Sequence, residues 1–86
     1  MKGTVAVVPY IDANRARILD DLARGDGDTL ASLAHVLGCS DTQQLTESLR
    51  SRYPILVDEP REHFADSMLN MLQSDAKVAQ SCQVLG

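Results

Sequence analysis

Thr29-Leu30-Ala31-Ser32-Leu33-Ala34-His35-Val36-Leu37-Gly38-Cys39-Ser40-Asp41-Thr42-Gln43-Gln44-Leu45-Thr46-Glu47-Ser48-Leu49-Arg50-Ser51-Arg52-Tyr53 reads as two short amphipathic runs joined at a glycine. Leu30, Leu33, Ala34 and Leu37 recur at helical spacing, which predicts a helix from about Thr29 to Leu37 with one apolar face. Gly38 ends it, at a turn position whose positive φ costs other residues energy. Ser40 starts the next helix, and Gln43 stands three residues on with capping-box spacing. Leu45 and Leu49 form its i, i+4 apolar pair. Ala34 is small where the helices cross, and Leu33, Leu37, Leu45 and Leu49 fill the wedge between them. A glycine turn between two such helices is the grammar of a helix-turn-helix.

Working outward, Asp12 is placed to cap a helix over roughly Ala13 to Arg24, with Ala16, Ile18, Leu19, Leu22 and Ala23 in period. Gly25-Asp26-Gly27-Asp28 stops that helix, and Asp28 is suited to cap the next. The β-branched run Thr4 to Val8, closed by Pro9, reads as a short strand, and so does Ile55-Leu56-Val57 after Pro54. Tyr53 ends the third helix because a residue preceding proline is pushed out of helical geometry. Glu59-Pro60 opens a last helix with Pro60 in its first turn. It reaches about residue 84 and carries Phe64, Ala65, Met68, Leu69, Met71, Leu72, Ala76, Val78, Ala79 and Cys82. The expectation is one mainly α domain over residues 1–86: a helix-turn-helix tri-helical core with two short strands and a long C-terminal helix.

At 86 residues, with one Phe, two Tyr and no Trp, the core has to come from aliphatic side chains and its margin is thin. The last helix has an apolar band at Phe64, Met68, Met71, Leu72 and Val78 that looks wider than three small helices can cover. An exposed band of that kind marks a contact surface, which predicts a homodimer through this helix. No apolar run approaches the length of a membrane span. The opening residues are too short for a secretory hydrophobic region, so the expected location is cytoplasmic. Cys39 and Cys82 then read as reduced, core-type thiols.

The segment from Leu22 to Tyr53 resembles the second helix-turn-helix of AraC-type transcriptional regulators. Leu30, Leu33, Ala34, Gly38, Ser40, Asp41, Leu45, Leu49, Arg50, Arg52 and Tyr53 fall in register with that pattern, and Leu22-Ala23 sits where the family has its Leu pair. Cys39 and Leu45 stand where the family has aromatic residues, and one helix-turn-helix is present where the family has two. The resemblance implies DNA binding through the third helix. Thr42, Gln43, Gln44 and Thr46 would face base edges, with Arg50 and Arg52 on phosphates.

Charge points the other way. The chain carries 8 Lys and Arg against 12 Asp and Glu, a net −4, and non-specific affinity for nucleic acid comes from cations neutralising phosphates. From Thr29 to Tyr53, Arg50 and Arg52 are balanced by Asp41 and Glu47. The second reading is therefore an acidic helical module that binds and restrains another regulator or enzyme.

Other constellations are incomplete. Gly25-Asp26-Gly27-Asp28 lacks the ligands and closing Glu of a calcium loop. Asp66-Ser67-Met68 matches the carrier-protein phosphopantetheine site over three residues only. His35 and His63 have no ligand partner at helical spacing, and Cys39 has no base beside it in sequence. The sequence therefore points to no enzyme, no metal and no cofactor.

Overall fold

A computed structural model of the chain describes Lys2 to Leu85, with side chains from Val7 onward. Among the described residues seven helices follow one another: α1 (Lys2–Ala13), α2 (Arg15–Arg24), α3 (Asp28–Leu37), α4 (Thr42–Ser51), α5 (Tyr53–Asp58), α6 (Arg61–Ser74) and α7 (Ala76–Ser81). The mainly helical expectation holds, but the two strands do not form. Val7 and Ile11, four residues apart, lie on one face of α1 and are fully buried as α1 packs on α3 and α6. A short apolar run suits a helix or a strand equally well, and the helix satisfies its own backbone without a partner strand. Pro9 sits inside α1 on its exposed side. Ile55-Leu56-Val57 is likewise helical, within α5, with Pro54 in the first turn, where its missing N–H costs nothing. Only Leu56 of the three turns inward; Ile55 and Val57 stay exposed.

One contiguous core joins all the helices. It includes Ile18 and Leu22 from α2, Leu30, Leu33 and Leu37 from α3, Leu45 and Leu49 from α4, and Phe64, Met68 and Leu72 from α6. The Arg15 guanidinium lies 5.3 Å from the centre of the Phe64 ring, tying the start of α2 to α6. The apolar band expected to meet a second copy is thus spent inside the monomer: Phe64, Met68, Leu72 and Val78 are fully buried and Met71 is half-buried. Seven helices, rather than four, supply the surfaces that cover it.

The long C-terminal helix is also broken. Asp75 leaves helical geometry, and its carboxylate accepts from the N–H groups of Lys77 (3.1 Å) and Val78 (3.4 Å), so it ends α6 and caps α7. The chain then turns back as a hook across the α3–α4 turn. Gln83 N–H donates to Gly38 O, Val84 N–H to Leu37 O, and Ser40 N–H to Ser81 O. Cys39 and Cys82 meet in this crossing and are joined by a disulfide, so the expectation of two reduced thiols is corrected. Nothing in the spacing of two cysteines 43 residues apart shows that the fold brings them together. Closing a loop of that length removes unfolded-chain entropy equivalent to about 4 kcal/mol.

Local signals at the helix ends were partly legible. Gly38 has φ +71°, and the N–H groups of Gly38 and Cys39 return to His35 O and Ala34 O, a Schellman closure of α3. Asp41, rather than Ser40, caps α4, accepting from Gln44 N–H at 3.1 Å, and Gln43 pairs with Glu47 instead of closing a capping box. Asn14 takes the place assigned to Asp12 at the start of α2. At α3 the cap comes from another helix altogether. Asp21 is buried in α2, and one of its carboxylate oxygens accepts from Thr29 N–H (3.0 Å) and Leu30 N–H (3.2 Å). Its other oxygen takes the Arg24 guanidinium at 2.6 Å. Asp28 is left as the first residue of α3, outside the cap.

Gly27 makes this possible. Its φ is +152°, and a Cβ there would fall 2.1 Å from the Asp21 carboxylate carbon. Gly27→Ala is expected to lose about 2–4 kcal/mol, combining backbone strain with loss of the Asp21 cap. An unchanged urea midpoint for this variant would show that the α2–α3 joint does not depend on that approach.

Candidate functional site

Helix α4 is the element around which candidate site residues gather, and it presents three flanks. Leu45 and Leu49 face the core and are fully buried. On the second flank Gln44, Ser48 and Arg52 recur every fourth residue and meet the C-terminal hook. The Ser81 hydroxyl donates to Gln44 Oε1 at 2.9 Å, and the Ser48 hydroxyl donates to Asp75 Oδ2 at 2.8 Å. The Arg52 guanidinium folds back to the Ser48 carbonyl oxygen (3.2 Å) and hydroxyl (3.3 Å).

The third flank lines a cleft of about 400 Å³. Thr42, Gln43, Thr46, Glu47 and Arg50 form one wall; Gly25, Asp26 and Gly27 of the α2–α3 loop form the other, with Leu30 from α3. The Arg50 guanidinium lies close against Gly25, within 3.0 Å of where a Cβ would stand. The Gln43 amide donates to the Glu47 carboxylate at 3.3 Å. Among the described residues, Asp26, Glu47 and Arg50 take part in no ion pair.

The structure therefore divides the six residues expected to read DNA. Gln43 and Arg50 are exposed along the cleft, and Thr42 is exposed at its start. Thr46 is buried, and its hydroxyl is spent on the Thr42 carbonyl at 2.9 Å. Gln44 and Arg52 belong to the opposite flank and are engaged there. Asp26 and Glu47 line the cleft although the sequence offers the first only as a turn residue and the second only as a charge balancing the arginines. Helical spacing could have placed Glu47 beside Gln43, but only the fold brings Asp26 across from it. His35 and His63 are both exposed, and among the described residues no group of three or more His, Cys, Asp or Glu could hold a metal ion. No helix among the described residues is long and apolar enough to cross a membrane.

The net charge of the chain falls in the segment that contains these elements. Between Asp20 and Arg50 six carboxylates stand against two guanidinium groups, while the rest of the chain carries six acids and six bases. The whole net charge of −4 thus belongs to the end of α2, the α2–α3 loop, α3 and α4.

These observations define an all-helical domain closed by one disulfide, with an acidic cleft on α4. A family profile described as "Protein of unknown function (DUF3015)" matches residues 2–82, and the chain belongs to that family. No curated protein and no solved structure matches it.

Asp75 gives the α4–hook contact a pH dependence. The hydrogen bond from Ser48 holds its carboxyl below its ordinary 3.8; burial opposes that, and the Val78 and Lys77 N–H groups and the Arg52 charge reinforce it. A carboxyl depressed on folding contributes stability above its unfolded value, and that stability is lost as pH falls through the folded value. The chain should therefore lose stability in acid below about pH 4. Asp75→Asn should be less stable at neutral pH and show a flatter decline in urea midpoint with acid. A decline of the same steepness in the variant would remove Asp75 from the acid response.

Proposed function

We propose that this protein is a non-enzymatic binding module whose α4 cleft seats a cationic segment of a protein partner. The observation that supports this reading most is the cleft itself: Asp26 and Glu47 line it against one Arg50, in the segment of the chain that carries the whole net negative charge. A Lys or Arg side chain entering between them would exchange water for charge-assisted hydrogen bonds. The Thr42 hydroxyl and the Gln43 amide add neutral polar groups along the same wall. Arg50, on the same wall as Glu47, would favour a carboxylate or backbone carbonyl next to the incoming cation. Complementary charge of this kind sets association rate and selectivity more than raw affinity.

A helix-turn-helix regulator is the competing reading, and α3–Gly38–α4 has the turn chemistry it requires. Two observations weigh against it. The exposed flank of α4 faces the α2–α3 loop across a cleft, where a recognition helix has to project into a groove. Asp26 and Glu47 also line the cleft with the single Arg50, so approaching phosphates meet mostly like charge.

A synthetic Arg- and Lys-containing peptide should bind in titration calorimetry, weakening as salt rises. Asp26→Asn with Glu47→Gln should cost about tenfold in Kd, the size expected for two partly exposed charge contacts. Retention on duplex DNA with a steep negative salt slope, and no response to the peptide, would replace this reading with the regulator.

A further inference from the structure

The hook formed by α7 and residues 82–85 is held to the body through a small set of contacts. Val78 and Cys82 reach the core, three backbone hydrogen bonds cross to Leu37, Gly38 and Ser40, and Ser81 and Asp75 bond to α4. α7 has only six residues, far below the length at which a helix is stable on its own. The covalent bond at Cys39 is what makes these contacts permanent.

We infer that the Cys39–Cys82 bond is a structural latch closed by oxidative folding, and that the protein works in a compartment where disulfides persist. The chain contains two cysteines, and both are consumed by this one bond, so no third thiol is available to resolve or reopen it. They come from separate parts of the chain rather than from one helical turn, which sets them apart from an exchange-active pair. Cys82 is 1% exposed and Cys39 is half-buried, so an attacking thiolate is confined to the Cys39 side of the bond. On both sides of the bond the backbones are paired, so the fold holds the two sulfurs opposite one another.

The chemistry balances with an external disulfide as oxidant. One thiol gives up its proton, and its thiolate attacks a sulfur of that disulfide, forming a mixed disulfide and releasing one oxidant thiolate. The second cysteine, as thiolate, then displaces the other oxidant sulfur. Two electrons and two protons leave the chain, and the oxidant is left as two thiols. The partner implied is a dithiol–disulfide exchange protein or a small-molecule disulfide. The latch also bears on α4 from the flank opposite the cleft, where Gln44 is held by Ser81 of the hook and Ser48 by Asp75 at its start.

Acid-quenching the cells that make the protein, then alkylating under denaturing conditions, reads the bond directly. The expected product is unalkylated and lighter by two hydrogens than the reduced chain. The Cys39→Ala/Cys82→Ala variant should stay helical but melt on the order of 15 °C lower. Its amide exchange should quicken over residues 76–85 while residues 61–72 keep their relative protection. A variant that does not fold at all, beside a parent with no alkylatable thiol, equally supports the latch. Thiols fully alkylated in the quenched cells, or a double variant with unchanged melting and unchanged protection at 76–85, would overturn it.

Discussion

The crossing of the C-terminal hook over the α3–α4 turn is the constraint on which the rest of the structure depends. Gly38 can take its left-handed conformation because it has no Cβ, and a Cβ there would stand 3.2 Å from Gln83 Cβ. The same residue ends α3, gives up its carbonyl to Gln83 N–H and delivers Cys39 to Cys82. One short stretch of backbone therefore turns the chain between two helices and receives its far end. An 86-residue chain with one Phe and no Trp has little core to spare, so a covalent closure of this length is a large fraction of a typical stability of 5–15 kcal/mol.

That closure also explains how α4 comes to have a distinct outward flank. The hook occupies Gln44 and Ser48, the core occupies Leu45 and Leu49, and what remains is the row of Thr42, Gln43, Glu47 and Arg50. The α2–α3 loop stands opposite that row because Asp21 holds the start of α3 from within α2. The buried carboxylate satisfies two N–H groups that would otherwise be orphaned at a helix start, and Gly27 is the residue that lets it approach. The cleft thus rests on two joints, one covalent and one hydrogen-bonded, at the two ends of α3.

Its electrostatics follow from where those joints lie. The region from Asp20 to Arg50 holds the whole excess of acid over base, yet Asp21 is buried and paired with Arg24. Asp26 and Glu47 are left to face the cleft. An acidic cleft with one guanidinium at its side suits a cationic partner group and opposes a polyanion.

By itself the sequence determined the helical class, the position of α2, α3 and α4 to within a residue or two, the left-handed Gly38 and the core faces of α3 and α4; on α2 only Ile18 and Leu22 of the expected face are fully buried, and Ala16 and Ala23 are exposed. Each of these is written in local spacing: Leu30, Leu33 and Leu37, or Leu45 and Leu49, bury one face whatever else the chain does. Tertiary structure decided what local spacing leaves open. Val7 and Ile11 suit a helix as well as a strand, and packing on α3 and α6 chose the helix. The apolar band of Phe64, Met68 and Leu72 reads alike whether a second copy or the chain's own helices cover it, and the helices cover it. The Asp21 cap, the placing of Asp26 opposite Glu47 across the cleft and the Cys39–Cys82 bond join different elements of the chain. Such contacts depend on where whole helices come to rest, because the cost of closing their loops is met by the collective burial of the core rather than by any neighbouring residue.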